Sequence, residues 1–94
     1  MSQTSPLHAI LTRYAIALVR FKARQLSETP GFHRSEQEDL KQDLWVALFS
    51  NAAAFDSERA SINTFINRVV NSAVRMILRN RGRKASRHSR SMYP

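Results

Sequence analysis

The feature that most constrains this chain is an apolar pattern between residues 62 and 78 that recurs every three or four positions. The pattern consists of Ile62, Phe65, Ile66, Val69, Val70, Ala73, Val74, Ile77 and Leu78. Because residues three and four apart share one face of an α-helix, this period predicts a long amphipathic helix. A stripe this wide needs other helices to cover it. Ser61 is the expected N-cap, and Gly82 is the expected stop signal.

Two earlier segments have the same period and predict two more helices. In the first, from about Pro6 to Ser27, the stripe is Leu7, Leu11, Tyr14, Leu18 and Phe21. The second starts at Ser35, which forms a capping-box pattern with Glu38, and fades through the alanines at 52 to 54. Its stripe is Leu40, Leu44, Leu48 and Phe49, with Trp45 beside it. With only two glycines and three prolines in 94 residues, the chain is predicted to be all-α, a single small bundle of three or four helices.

Positive charge is concentrated at one end of the chain. Residues 59–94 contain nine Arg or Lys and no acid, whereas residues 1–58 contain six basic and seven acidic residues. A charge block this one-sided predicts a polyanionic partner, of which nucleic acid is the commonest. The main candidates for phosphate contacts are Arg75, Arg79, Arg81, Arg83, Lys84, Arg87 and Arg90. If about five of them neutralise phosphates, the logarithm of the binding constant for duplex DNA should fall with the logarithm of the salt concentration with a slope of about −4 to −5. We call this the salt slope.

Polar side chains just before this basic run are candidates for reading bases. Asn67, Asn71 and Ser72 can donate and accept hydrogen bonds, although ordinary exposed helix residues would look the same. The spacing of Tyr14, Phe21, Phe49 and Phe65 predicts that they pack in the core rather than stack on bases. For Trp45, burial is favoured over a role as an exposed interface residue. Phe55, in the predicted loop, is left open. The basic tail, residues 85–94, is expected to be unstructured in isolation.

Signals for enzymatic chemistry are weak, and we expect a protein that is not an enzyme. His8, His33 and His88 have no metal-ligand spacing, and the chain has no cysteine, glycine-rich phosphate loop or nucleophile–base pattern. The acids Glu36, Glu38, Asp39 and Asp43 fit the start of a helix better than a metal site. We therefore expect no catalytic residue, metal or cofactor. No segment is apolar enough to cross a membrane or resembles a signal peptide, so a soluble cytoplasmic protein is expected.

Three motifs together resemble region 2 of bacterial sigma factors of the sigma-70 class. The segment from Glu38 to Leu48, with its Asp39-Leu40-Lys41-Gln42-Asp43 core, is similar to the acidic–leucine–any–glutamine–acidic segment of that family. The loop from Phe55 to Ser61 looks like the Phe-Asp…Arg-Gly/Ala-Ser turn. The stretch from Thr64 to Val70 is similar to Thr-Trp-Leu-x-Arg-Ile-Ala of the extracytoplasmic-function group. The three matches occur in order over about residues 7 to 84. We therefore expect the region 2-like domain to comprise residues 1–84 and the basic tail to comprise residues 85–94.

The resemblance implies a fold, two partners and two sets of site residues. The fold would be the region 2 helical bundle, and the function would be to bind core RNA polymerase and to recognise and melt the minus-ten promoter element. Contacts to the clamp helices of the polymerase β′ subunit are carried over to Asp39, Lys41, Gln42, Asp43 and Val46. Contacts to promoter DNA, with a flipped base on the non-template single strand, are carried over to Phe55, Arg59, Ser61, Asn67, Arg68, Asn71, Ser72, Arg75, Arg79, Arg81, Arg83 and Lys84.

Two departures from the family keep alternatives open. Ser72 stands where many members have asparagine, which puts the usual mode of base capture in doubt. Ninety-four residues leave no room for the helix-turn-helix domain that reads the minus-thirty-five element. The chain is thus expected to be an excised domain or a stand-alone unit that works with a separate protein bearing that half. The alternatives are a regulator that occupies the sigma site on polymerase without opening promoters, and a general basic nucleic-acid-binding helical protein.

Overall fold

Three α-helices make up the domain in a computed structural model, which describes the backbone of residues 11–91 and the side chains of residues 11–82. They are α1 (Arg13–Ser27), α2 (Gln37–Asn51) and α3 (Ile62–Ser91), and two short 3₁₀ turns, Arg34–Glu36 and Ala52–Ala54, flank α2. No strand occurs between residues 11 and 91, so the predicted all-α fold is confirmed. None of the described helices is long and apolar enough to cross a membrane.

The core lies where all three helices meet. Its largest fully buried side chains are Val19 from α1, Leu44 and Leu48 from α2, and Ile66 and Val70 from α3. Truncation of a fully buried leucine to alanine typically costs about 2–5 kcal/mol, a large part of the stability of a domain this small. The core therefore fixes the relative placement of α2 and α3, which carry the polar residues of interest.

Helix α1 starts later than predicted and buries a different face. Thr12 caps it: the Thr12 hydroxyl oxygen accepts a hydrogen bond from the Ala15 backbone N–H at 3.0 Å. The predicted start near Pro6 is therefore wrong, and Pro6 and Leu7 themselves lie outside the described residues. The buried positions are Ala15, Val19, Ala23, Leu26 and Ser27, whereas Leu11, Tyr14 and Phe21 of the predicted stripe are exposed.

A packing preference explains this rotation of α1. Ala15, Val19 and Ala23 are four residues apart and small, so they form a shallow face on which α2 and α3 can approach closely. Larger residues on the neighbouring face would hold the helices apart. Leu18, at the boundary of the two faces, is half-buried against the core.

Helix α2 buries its leucines as predicted, but the side-chain cap lies two residues earlier than predicted, on the 3₁₀ turn Arg34–Glu36 that precedes the helix. Leu40, Leu44 and Leu48 are buried, and Trp45 is half-buried against the core. The prediction that Phe49 is buried is wrong: its side chain is 42% exposed and stacks on Trp45 with ring centroids 5.6 Å apart.

The capping box belongs to His33 and Glu36 rather than to Ser35 and Glu38. The His33 imidazole accepts from the Ser35 backbone N–H at 3.1 Å, and Glu36 accepts from the His33 backbone N–H at 2.9 Å. Glu36 also binds Arg81 of α3, a contact that favours this register over the predicted one.

Helix α3 begins as predicted and ends later. The Ser61 hydroxyl oxygen accepts from the Thr64 backbone N–H at 3.2 Å, which confirms the N-cap. The apolar stripe packs inward, except for the exposed Leu78. The helix does not end at Gly82 but continues to Ser91, so the predicted stop is wrong. Gly82 does not have the positive φ of a C-terminal glycine cap, and the residues after it contain no proline before Ser91.

Candidate functional site

One face of α2 is polar and exposed. Asp39, Gln42, Asp43 and Val46 follow one another at spacings of three, one and three residues, which places them on the same side of the helix. All four are exposed, and Val46 is 60% accessible. In the described part of the chain, no ion pair involves either aspartate. This arrangement, two carboxylates and an amide around an apolar residue, suits recognition of a basic protein surface with an apolar centre.

Lys41 lies at the edge of this face. Its side chain is half-buried and its ammonium group pairs with Glu38 at 3.2 Å. The pair is local to one turn of α2, and such exposed pairs contribute little to stability. Of the five residues carried over to the polymerase contact, Lys41 is thus the one that already has an intramolecular partner.

A surface groove of about 540 Å³ lies between α2 and α3. One wall is formed by Asp43, Val46, Ala47 and Asn51 of α2, and the floor and other wall by Arg68, Val69, Ser72, Ala73, Met76, Ile77 and Asn80 of α3. The two sets of residues singled out from the sequence therefore meet here: Asp43 and Val46 face Arg68 and Ser72 across what we call the α2–α3 groove.

Three exposed residues of this groove, Asn51, Met76 and Asn80, were missed by sequence reasoning. Met76 is 58% exposed and Asn80 is exposed. Met76 lies three residues after Ala73 and seven after Val69, at the edge of the apolar stripe of α3, and this helical spacing is the signal that could have identified it. It gives the groove an exposed apolar side chain of high adaptability.

The outer face of α3 carries the polar and cationic residues. Arg68, Arg75 and Arg79 are exposed, and in the described part of the chain none of them forms an ion pair. Asn71 donates to the Asn67 side-chain oxygen at 3.0 Å, and Arg75 donates to the Ser72 hydroxyl at 3.3 Å. Each of these polar groups keeps further donors or acceptors, so the face can still bind phosphates and base edges.

In the connection between α2 and α3, two of the predicted site residues have structural contacts. Phe55 is half-buried and packs on Phe65 with centroids 5.3 Å apart, which answers the question left open by the sequence. Ser61 caps α3 through its hydroxyl. Arg59 is exposed. Asp56 organises the turn, since its carboxylate accepts from the Glu58 backbone N–H at 2.9 Å and its carbonyl accepts from the Arg59 N–H at 3.0 Å.

Arg81 differs from Arg68, Arg75 and Arg79 because it contacts residues far from α3 in the sequence. Its guanidinium donates to the Gly31 carbonyl oxygen at 2.6 Å and to both Glu36 carboxylate oxygens, and it lies 4.1 Å from the centroid of the Phe32 ring. We call these four residues the Arg81 cluster. Their mutual contacts occupy the guanidinium that the sequence had suggested for DNA, so Arg81 is omitted from the DNA contacts considered below. The side chains of Arg83 and Lys84 lie outside the described residues.

The Arg81 cluster shifts the titration of both charged groups. Hydrogen bonding from Arg81 lowers the pKa of Glu36 below its ordinary value of 4.5, and the bond from the His33 backbone N–H acts in the same direction, against the opposing effect of burial. The same hydrogen bond raises the pKa of Arg81. The pair is thus ionised at neutral pH. Within the described residues, no group of three or more His, Cys, Asp or Glu side chains is arranged to hold a metal ion.

Taken together, the described helices form a small all-α bundle that presents an acidic-amide face on α2 and a cationic face on α3. A comparison with protein families places it further: the sigma-70 region 2 family matches residues 10–84, and the chain belongs to this family. Members are domains of transcription initiation factors that bind core RNA polymerase and recognise promoter DNA. Neither the curated proteins nor the solved structures give a significant match to the chain.

Proposed function

We propose that the exposed face of α2 binds the clamp helices of the polymerase β′ subunit. The observation that carries this proposal is the set Asp39, Gln42 and Asp43, exposed side by side around Val46 with no ion pair to either aspartate among the described residues. Polar groups that are presented in this way retain their full hydrogen-bonding capacity for a partner. Lys41, which pairs with Glu38, would contact the partner at the edge of this face.

The proposed promoter contacts use the outer face of α3 and the connection before it. Arg68, Arg75 and Arg79, together with Arg59, would neutralise phosphates of the minus-ten element, and Arg83 and Lys84 follow on the same helix. Asn67, Asn71 and Ser72 would contact bases of the non-template strand. Opening the duplex costs unpairing and unstacking, which capture of an extruded base and of the single strand would offset. Phe55 and Ser61 would act by shaping the connection rather than by direct contact.

The matching experiment for the polymerase contact is a pull-down with an isolated β′ clamp-helix fragment. Asp39→Arg replaces an acceptor with a like charge for a basic partner, so we expect at least roughly tenfold weaker binding, and a smaller loss for Gln42→Ala. Glu28→Arg is the matched control, because it makes the same charge change at an exposed position just after α1 rather than on α2. If Asp39→Arg and Gln42→Ala both bind the fragment as tightly as the native chain, the proposal that this face of α2 binds the β′ clamp helices is wrong.

A second candidate is a regulator that occupies the sigma site on polymerase without opening promoters. The observation in its favour is that the hydroxyl of Ser72, which stands where asparagine is common in the family, already accepts a hydrogen bond from Arg75. In vitro transcription with core polymerase separates the two, with and without a separate protein that supplies minus-thirty-five recognition. Promoter-specific transcripts support initiation, whereas inhibition of another sigma factor without new transcripts supports the regulator.

A further inference from the structure

The Arg81 cluster is the only long-range polar contact among the described side chains. Its three hydrogen bonds span 45 to 50 residues, whereas the other side-chain hydrogen bonds described for residues 11–82 join residues no more than four positions apart. Among residues 11–82, the buried core between the helices is apolar apart from Ser27. The Arg81 cluster is therefore the polar contact that can fix the position of α3 relative to the segment between α1 and α2.

That location is where α3 leaves the bundle. Val70 is fully buried, Val74 and Ile77 are half-buried, and Leu78 is exposed, so apolar packing weakens along the helix. Arg81 continues the spacing of Val70, Val74 and Ile77 by one more turn and thus points back to the bundle. After it, residues 82–91 are helical but contain no large apolar residue that could extend the stripe.

The contacts hold the guanidinium from several directions. The Gly31 carbonyl oxygen and the two Glu36 carboxylate oxygens accept three hydrogen bonds from the guanidinium, and its Cζ lies over the Phe32 ring, 4.1 Å from the ring centroid. A planar fork with this many partners fixes orientation as well as distance. Gly31 itself has a φ of 95°, a conformation that presents the connection's carbonyl to the helix and that other residues rarely adopt.

We propose that Arg81 is a positioning residue: it fixes the direction in which the cationic end of α3 leaves the bundle and so aligns that end with the DNA contacts of Arg75 and Arg79. The proposal rests on DNA binding by α3, as proposed above. Glu36 is then required for tight DNA binding although it is an acid. The competing view, in which Glu36 merely withholds Arg81 from a phosphate, makes the opposite prediction for a Glu36 variant.

Binding of a fluorescent minus-ten single strand to the full chain tests the proposal. Glu36→Gln raises the net charge yet loosens the cluster, so we expect binding weaker by roughly two- to tenfold, the cost of ordering one or two additional side chains in the complex. Glu38→Gln is the matched control, with the same charge change and loss of only a local pair with Lys41; it should bind as tightly as the native chain or more tightly. Tighter binding by Glu36→Gln, to the same degree as Glu38→Gln, would overturn the proposal.

Arg81→Lys separates orientation from charge. Lysine keeps the positive charge but cannot form the planar fork, so it should bind DNA as poorly as Arg81→Met. Native-like affinity of Arg81→Lys would show that only the charge matters and would overturn the proposal.

A direct measurement of direction does not depend on DNA. The chain has no cysteine, so Ser50→Cys on α2 and Ser86→Cys on α3 provide two unique spin-label sites. Electron–electron double resonance should give a broader distance distribution when Arg81→Lys is added, and an unchanged distribution would also overturn the proposal. If the native chain binds no DNA, the proposed promoter function fails, while this distance measurement still decides whether Arg81 orients the helix.

Discussion

At the scale of the residue, Glu36 illustrates how one side chain serves two purposes. Its carboxylate accepts from the His33 backbone N–H, which caps the 3₁₀ turn that leads into α2, and from the Arg81 guanidinium of α3. Both bonds favour the ionised form, so folding and ionisation of Glu36 support each other.

The pH dependence of stability follows from this coupling. Because the pKa of Glu36 is lower in the folded chain than its ordinary value of 4.5, its stabilising effect is present above that value and is lost as the pH falls through the folded pKa. We expect the difference in urea midpoint between the native chain and Glu36→Gln to be constant near neutral pH and to shrink progressively below 4.5. A difference that persists unchanged in acid would contradict the assignment of the shift to this carboxylate.

The exposed arginines of α3 give a second prediction at this scale. Arg75 and Arg79 are one helical turn apart on the outer face. If both contact phosphates, replacing them with alanine should weaken binding to all sequences alike and reduce the magnitude of the salt slope by about two on duplex DNA. Arg13→Ala with Arg20→Ala removes two exposed cations from α1 and provides the control for net charge. Equal slopes for the two double variants would show that the charge of α3 acts only at long range.

At the scale of the element, the sequence predicted the helices better than their ends and faces. The three- and four-residue spacing of Leu40, Leu44 and Leu48 identified α2 and its buried side, because large apolar residues there have a single consistent face. In α1 the spacing was compatible with two faces, and the small residues Ala15 and Ala23 were buried because they permit close packing. Which face wins depends on the shape of the neighbouring helices, which a local pattern does not contain.

The same limit applies to the candidate site. The exposed face of α2 and the cations of α3 follow from helical spacing alone, as predicted. The Arg81 cluster does not, because it joins residues 45 to 50 positions apart and no spacing rule connects them. The α2–α3 groove likewise depends on how two helices approach each other, so helical spacing could place Met76 beside the apolar stripe but could not show that it lines a groove.

The two glycines of the chain give a matched prediction about helix ends. Gly82 lies inside α3 without a positive φ, and a methyl group added to its Cα would meet no other atom within 4 Å, so Gly82→Ala should stabilise the helix by about 0.5–1 kcal/mol. Gly31 has a φ of 95°, so Gly31→Ala should destabilise the domain by about 1 kcal/mol or more. Helical content by circular dichroism and urea unfolding measure both. A loss of helical content in Gly82→Ala would contradict the placement of Gly82 inside α3 and would support a helix end at this residue.

At the scale of the whole molecule, the charge distribution sets the two proposed partners apart. Residues 59–94 carry nine basic residues and no acid, while the acids that are exposed on α2 lie in the balanced first part of the chain. Yet the fold brings the two parts together, since Asp43 and Arg68 line opposite walls of the α2–α3 groove. A polymerase bound to α2 would therefore hold α3 close to the DNA that enters beside it, and each contact would raise the effective concentration of the other.

This arrangement makes a prediction for the isolated chain. With few contacts from one short module, binding to the non-template strand of a minus-ten sequence should be weak, and it should fall with salt because phosphate contacts supply most of the affinity. If Asn67, Asn71 and Ser72 contact bases as proposed, preference over a scrambled oligonucleotide should survive at physiological salt, because base contacts depend on sequence whereas charge does not. A fluorescence titration with both strands at two salt concentrations measures the two effects separately. Equal affinities for the two strands would leave α3 as a sequence-independent cationic surface, and promoter selection would then have to come from the polymerase or from a second protein.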